Sequence, residues 1–167
     1  MIHQIIRITG VNLKRLNFFA KSMGGATLFE KIVAGEIPCH RVAEGENWLA
    51  FLDIFPRSPG HTLVIPKQGI QHLSNLSTSQ RNELFDGVCQ VETILGAHFN
   101  TTDFTICIHD GPLSGQEVPH VHVHVIPRIA GDGGGTLQSM WPSAPAMGGQ
   151  ADHSALAQLA TQIGGEH

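Results

Sequence analysis

The chain has 167 residues, 41% of them hydrophobic and 14% charged, which is ordinary for a globular protein and enough for one domain with a substantial core. All 14 acidic residues lie after residue 23, whereas 4 of the 10 basic residues precede it, so residues 24–167 carry a net charge of −8. An acidic body of this kind repels a polyphosphate backbone, which argues against a nucleic acid partner.

The cysteines and the apolar runs bear on the compartment. Cys39, Cys89 and Cys107 are scattered and form no Cys-x-x-Cys pair, which argues against a disulfide framework and favours a reducing compartment. No apolar run has the length of a transmembrane segment. We therefore expect a cytoplasmic protein without a membrane partner.

Residues 1–23 are basic, lack acidic residues and are moderately apolar. Their basic residues interrupt any apolar core, so a secretory signal is disfavoured. An amphipathic, transit-like segment is one alternative. The simpler interpretation is an extension that is disordered or lies upstream of a true start at Met23. We expect a folded domain over residues 24–141 and a tail with a short helix over residues 142–167.

Two capping boxes predict where helices begin. Thr27-Leu28-Phe29-Glu30 opens a short helix that ends at Gly35, with Thr27 as the N-cap. Ser77-Thr78-Ser79-Gln80 opens a long helix that extends to about Phe99. One face of the long helix carries a core-forming stripe of Leu84, Val88, Val91 and Leu95. In the tail, residues 152–163 have the pattern of a short surface helix.

Apolar alternation and turn residues predict five strands. These strands span Arg41–Glu44, Trp48–Asp53, Thr62–Pro66, Phe104–Ile108 and His120–Ile126. Runs of strands together with one long and one short helix indicate an α+β domain with a five-stranded antiparallel sheet.

The last predicted strand has the most informative pattern, because His120, His122 and His124 alternate with valines. Such alternation places the three imidazoles on one face, about 6.6 Å apart at a rise of about 3.3 Å per residue. One interpretation is a half-exposed strand that happens to carry histidines. Another is a metal site, but the outer imidazoles would lie about 13 Å apart, so an ion would need a ligand from elsewhere. The third is catalysis, in which a neutral central imidazole attacks phosphorus and its neighbours donate hydrogen bonds.

The segment before this strand favours catalysis on a phosphate. Residues 110–116 include Gly111, Pro112 and Gly115, turn residues that can present consecutive backbone N–H groups as an anion nest. A nest that leads directly into the histidines would form a phosphate cradle.

Three segments together resemble the signatures of the histidine-triad (HIT) family. Residues 120–126 are similar to the family motif His-φ-His-φ-His-φ-φ, in which φ is apolar, and the match extends upstream through residues 115–119. Residues 51–56 and 60–67 are similar to the other two signatures of the family. The resemblance covers roughly residues 26–141 and implies a HIT-like sheet.

The resemblance implies a nucleotide hydrolase that needs no cofactor. His122 would attack the α-phosphorus of a nucleoside 5′-phosphoryl compound, such as a purine nucleoside phosphoramidate, while the backbone carbonyl of His120 orients its ring. His124 and His61 would stabilise the phosphoryl oxygens, and water would release a nucleoside monophosphate from the nucleotidyl-histidine. Family members are usually homodimers that join two sheets, so a homodimer is expected.

The other candidate residues would bind the nucleotide. Asp53 would accept both ribose hydroxyls, although capping of the following turn is the alternative. Ile54 would line an apolar base pocket or belong to the core, and His109 would contact the leaving group or only tie its loop. The loop before the fifth predicted strand contributes Gly115, Gln116 and Glu117 to nucleotide binding. No partner is predicted for His72, which is interpreted as a surface residue.

The branch of the family is left open by the residues. Residues 29–38 resemble the Hint-like phosphoramidase branch, whereas residues 110–128 resemble the Fhit-like dinucleoside polyphosphate hydrolases. A nucleotide-binding module without significant turnover is a third alternative. Glu117 stands where Ser or Thr is common, and its carboxylate would repel an anionic leaving group and attract a cationic amine.

Some family members bind zinc through a cysteine pair near the first helix. This chain has Thr27 and Glu30 at those positions, and Gly69 where relatives often place a histidine. We therefore predict no metal site.

Overall fold

The computed structural model describes residues 25–140 and 151–164, so the extension predicted over residues 1–23 lies outside the described residues. Contacts divide the chain into two units, with the boundary between Asp132 and Gly133. Within the described residues, the first unit contains a sheet and two α-helices, and the second contains one α-helix.

The first unit has the predicted α+β architecture, although it ends at Asp132, before the boundary predicted after residue 141. Its helices are α1 (Leu28–Val33) and α2 (Thr78–Phe99). Its strands are β1 (Arg41–Glu44), β2 (Trp48–Leu52), β3 (Thr62–Pro66), β4 (Phe104–Cys107) and β5 (Val123–Pro127). The strands form one sheet in the order β1-β2-β3-β5-β4, and every neighbouring pair is antiparallel. The predicted five-stranded antiparallel sheet is confirmed.

Both predicted capping boxes are present. At α1, Thr27 Oγ1 accepts the Glu30 N–H at 3.1 Å, and the Glu30 carboxylate accepts the Thr27 N–H at 2.7 Å. Ser77 and Gln80 make the same reciprocal pair at α2. α2 ends at Phe99 and is followed by Asn100, which adopts the left-handed conformation that often closes a helix.

The sheet buries apolar side chains on both faces, as period-two alternation requires. α2 covers one face, and the predicted stripe of α2 packs there against residues of β2, β3 and β5, including Trp48, Val64 and Val125. α1 packs on the other face through Phe29 and Ile32 against a second cluster, which contains Leu49, Phe51, Leu63, Ile65 and Val118. The candidate site residues lie on this α1 face.

Trp48 shows how closely α2 approaches the sheet. A Cβ atom built at Gly87, in the middle of α2, would lie 2.6 Å from the indole ring of Trp48, well inside van der Waals contact. Glycine costs helix stability at an interior position, but here it makes room for the buried tryptophan.

The predicted fifth strand begins three residues too early. β5 starts at Val123, and its pairing with β3 ends at the pair Val64–Val123. Two contacts explain this: the N–H of Val121 donates to the carbonyl of Ile70 at 2.7 Å, and the ring of His120 binds the carbonyl of Pro66 at 2.8 Å. The chain before Val123 therefore follows a loop rather than the strand ladder.

The second unit contains α3 (His153–Gly164), which confirms the short helix predicted in the tail. The carboxylate of Asp152 caps it by accepting the N–H of Ala155 at 2.9 Å. Every described residue of α3 is exposed. Among the described residues, no helix is long and apolar enough to cross a membrane.

Candidate active site

Four imidazoles meet on the α1 face of the sheet. His124 is at the centre: its ring centroid lies 5.0 Å from that of His122, 5.1 Å from that of His61 and 5.4 Å from that of His109. β5 and the residue before it supply His124 and His122. The residue before β3 supplies His61, and the loop after β4 supplies His109. The structure thus brings together four residues that the sequence predicted for one site.

Hydrogen bonds assign the protons on one pair of imidazoles. The backbone N–H of Arg57 donates to His61 Nδ1 at 3.2 Å, so the proton of a neutral His61 must be on Nε2. This Nε2–H then donates to His124 Nδ1 at 2.9 Å. His124 consequently carries its proton on Nε2, a buried nitrogen with no hydrogen-bond partner among the described residues. That N–H is available to donate to a bound group.

The nucleophile predicted from the sequence has the complementary arrangement. His122 Nδ1 lies 2.7 Å from the backbone carbonyl of His120, and a carbonyl can only accept. The proton of His122 is therefore on Nδ1, and Nε2 has a free lone pair. The carbonyl contact implied by the family resemblance is present.

Burial keeps these rings neutral near pH 7. It lowers the pKa of His122, while the bond to the His120 carbonyl opposes the shift. Burial lowers the pKa of His124 to about 3, and the neighbouring His122 and His61 act in the same direction. The pKa of His61 is also lowered by burial, against an opposing effect of the Asp53 carboxylate. A neutral imidazole is the form that can attack phosphorus.

His120 itself is not available to a substrate through its ring. The residue is fully buried, and its ring packs against Phe29 at a centroid distance of 5.6 Å. Both ring nitrogens are bonded, Nδ1 to Thr27 Oγ1 at 3.0 Å and Nε2 to the carbonyl of Pro66 at 2.8 Å. His120 can therefore contribute to the site through its backbone carbonyl alone.

Asp53 and Ile54 lie where β2 gives way to the loop before β3. One carboxylate oxygen of Asp53 accepts the N–H of Phe55 at 2.8 Å, which is the turn cap considered from the sequence. The other oxygen lies 3.7 Å from His61 Nδ1, too far for a hydrogen bond. Capping thus occupies one oxygen and leaves the second for a ligand. Ile54 is 50% exposed, so it belongs to the surface rather than to the core.

Three N–H groups of the anion nest predicted over residues 110–116 are used within the loop itself. The N–H groups of Ser114, Gly115 and Gln116 donate to the carbonyls of Gly111 and Pro112 at 3.1–3.2 Å. A short 3₁₀ turn over Pro112–Ser114 uses these groups internally, so they are not free for a phosphate. The expectation of consecutive free N–H groups at these three positions is wrong.

Other contacts join this loop to the chain before α2. Gln116 is buried and its side-chain N–H donates to the carbonyl of Gln71 at 2.8 Å, so it joins two loops. His72 has a partner that the sequence did not predict, the carboxylate of Asp110 at 3.1 Å. Glu117 is exposed, and its charge raises the pKa of His122 against the larger effect of burial.

One group of residues could in principle hold a metal ion. Asp53, His61 and His124 offer ligand atoms within 4.8 Å of one another. The hydrogen bonds from Arg57 to His61 and from His61 to His124 occupy the relevant nitrogen lone pairs. Zinc-binding relatives have ligands at the positions of Thr27, Glu30 and Gly69. In this chain Thr27 bonds to the ring of His120, and the Glu30 carboxylate fills the space beside Gly69.

The family model described as HIT domain matches residues 34–131. The chain belongs to the HIT family. Among curated relatives, an uncharacterized HIT-like protein of Methanocaldococcus jannaschii is 42% identical over 64% of this chain and 81% of its own length. The adenosine 5′-monophosphoramidase of Schizosaccharomyces pombe is 38% identical over 71% of this chain and 84% of its own length.

The chain also matches a second named hydrolase and a solved HIT structure. The asymmetrical bis(5′-nucleosyl)-tetraphosphatase of Schizosaccharomyces pombe is 42% identical over 50% of this chain, but the match spans only 46% of that protein. The crystal structure of a HIT family member from Bacillus subtilis superposes with a TM-score of 0.73 at 30% identity, covering 84% of this chain and 96% of that chain. The HIT-like sheet expected from the sequence is therefore confirmed.

Proposed function

We propose that this HIT protein is a nucleotide hydrolase that acts through a nucleotidyl-histidine intermediate at His122. The observation that carries the proposal is the fixed tautomer of His122, whose Nδ1–H donates to the His120 carbonyl and whose Nε2 keeps its lone pair. Relatives named as a phosphoramidase and as a tetraphosphatase support nucleotides as the substrate class.

In the proposed reaction, His122 Nε2 attacks the α-phosphorus of a nucleoside 5′-phosphoryl compound, and the bond from phosphorus to the leaving group breaks. The positive charge that develops on the imidazole is stabilised by the carbonyl of His120. The unused Nε2–H of His124 donates to a phosphoryl oxygen, and His61 holds His124 in this tautomer. Water then attacks phosphorus, which releases a nucleoside monophosphate and restores His122.

We further propose that the leaving group is an amine, as in a purine nucleoside phosphoramidate. Glu117 supports this choice, because an exposed carboxylate whose charge reaches His122 attracts an ammonium group and repels a second phosphate. The alternative is a dinucleoside polyphosphate hydrolase of the Fhit type, which the resemblance of residues 110–128 favours. The second oxygen of Asp53 would accept the ribose hydroxyls in both cases.

The test is a kinetic panel with an adenylated amine, a diadenosine polyphosphate and an adenylated sulfate, run on the wild type and on His122→Ala. Loss of a nucleophile commonly costs several orders of magnitude in kcat, so His122→Ala should be nearly inactive. Its far-ultraviolet circular dichroism spectrum should be unchanged. Near-normal kcat in purified His122→Ala would exclude the covalent intermediate. Nucleotide binding without turnover by the wild type would instead support a binding module.

A homodimer that joins two sheets is part of the proposal, since it is the usual assembly in the family. Sedimentation equilibrium of the full chain should give twice the 18.0 kDa mass of one chain. A single species at the mass of one chain, at micromolar concentration, would contradict it.

A further inference from the structure

Thr27 contacts two different structures through one hydroxyl group. Its Oγ1 accepts the N–H of Glu30 at 3.1 Å, which is the N-cap bond of α1, and it lies 3.0 Å from Nδ1 of His120. The hydroxyl proton remains available, so its direction depends on the tautomer of His120.

The tautomer of His120 follows from its other nitrogen. Nε2 lies 2.8 Å from the carbonyl of Pro66, which can only accept, so Nε2 carries the proton of the neutral ring. Burial lowers the pKa of His120, which keeps the ring neutral. Nδ1 is therefore an acceptor, and the Thr27 hydroxyl donates to it.

These bonds hold His120 on both sides of its ring, and the same residue supplies the carbonyl that accepts Nδ1–H of His122 at 2.7 Å. The ring of Phe29, in the first turn of α1, packs against both imidazoles, at centroid distances of 5.6 Å from His120 and 5.3 Å from His122. A connected path thus leads from the Thr27 hydroxyl through the His120 ring and carbonyl to the proposed nucleophile.

We propose that Thr27 is a positioning residue for the nucleophile, acting through His120 to hold the carbonyl that selects the reactive tautomer of His122. This inference rests on the proposed function, because it assigns a role relative to His122. Without the hydroxyl, His120 Nδ1 becomes a buried acceptor without a partner, and the ring gains freedom to reorient or to exchange its tautomer. The carbonyl then holds His122 less firmly, while the residues expected to bind the nucleotide are unchanged.

The competing interpretation is that Thr27 only caps α1, and the chain offers a matched control for it. Ser77 starts α2 with the same kind of capping box, formed with Gln80, and in the described part of the chain it bonds to no histidine. Ser77→Ala therefore measures the effect of losing a cap alone. Thr27→Val keeps the shape and removes the hydroxyl, whereas Thr27→Ser keeps both bonds.

Steady-state kinetics with adenosine 5′-phosphoramidate is the first measurement. We expect Thr27→Val to lower kcat by about tenfold to 100-fold with KM within about threefold, since small errors in position cost rate rather than binding. Thr27→Ser should keep the wild-type kcat, because it keeps the hydroxyl. Ser77→Ala should lower the melting temperature without lowering kcat. Wild-type kcat in Thr27→Val, or an equal loss in Ser77→Ala, would overturn the proposal.

Nitrogen-15 NMR of the histidine rings is the second measurement, and it separates this proposal from the proposed function. The wild type should show His122 protonated on Nδ1 alone, and Thr27→Val should show a mixture of tautomers. If the wild type hydrolyses no nucleotide but the tautomer mixture appears, positioning stands and the proposed function fails. An unchanged His122 tautomer in Thr27→Val overturns positioning. If Thr27→Val does not fold, Thr27→Gly serves both measurements, because glycine is a tolerated N-cap that lacks the hydroxyl.

Discussion

Acid should destabilise this protein through its buried imidazoles, and His124 provides a measurable case. Burial lowers the pKa of His124 from 6.5 to about 3. As the pH falls below 6.5, the unfolded imidazole binds a proton that the folded one does not bind until about pH 3. Proton binding by His124 therefore leaves the free energy of unfolding unchanged above pH 6.5 and lowers it progressively as the pH falls from 6.5 to about 3. Below about pH 3 this group causes no further change.

The magnitude follows from linkage. One such group changes the free energy of unfolding by about 1.4 kcal/mol per pH unit, or about 2 kcal/mol between pH 6.5 and 5. Burial also lowers the pKa of His61, His120 and His122, so these rings add to the slope with the same sign. The free energy of unfolding of the wild type should thus change more steeply with pH than a single group would make it.

The assay is urea unfolding at several pH values between 7.5 and 5, on the wild type and on His124→Gln. The substitution should lower stability near neutral pH, because it disturbs the bond from His61, but it should also flatten the pH dependence by about 1.4 kcal/mol per pH unit. His98→Gln, which removes an exposed imidazole of α2, provides the comparison. Equal slopes for the wild type and His124→Gln would refute the reasoning, since they would mean that His124 binds its proton equally well in both states.

Four further outcomes are expected. Asp53→Asn should weaken discrimination between ribonucleotides and 2′,3′-dideoxyribonucleotides, because charge-assisted bonds of about 1.5–3 kcal/mol each are lost; a wild type that ignores the hydroxyls would make Asp53 only a turn cap. Glu117→Ser should lower kcat/KM for an adenylated lysine and raise it for a diadenosine polyphosphate, whereas an unchanged ratio would show that the carboxylate does not act on the leaving group. Chelators should change neither activity nor melting temperature, and stoichiometric zinc by elemental analysis would contradict this. Gly87→Ala should destabilise the fold by about 1–3 kcal/mol in urea unfolding, because its Cβ would meet Trp48; full stability would show that the indole can move.

Features that depend on residues close together in the chain could be predicted from the sequence. The capping boxes at Thr27 and Ser77 bond groups three residues apart, and the stripe of α2 follows from helical spacing. β1 and β3 have the bounds that alternation predicted, whereas β2 and β4 each end one residue earlier than predicted. The alternating histidines and valines selected His120, His122 and His124, because period two is a local property of an extended chain. His61, His109 and Asp53 were instead selected by the resemblance to the HIT family.

The hydrogen bonds that connect those residues depend on the tertiary fold. The bonds from His61 to His124, from His120 to Pro66 and from Thr27 to His120 join residues 63, 54 and 93 positions apart. These distant contacts select the tautomers and hold residues 120–122 outside the β5 ladder. The loop N–H groups expected to bind phosphate are instead used within their own turn. Sequence patterns indicate which groups can donate and accept, but the assignment of each proton depends on partners that only folding brings within about 3 Å.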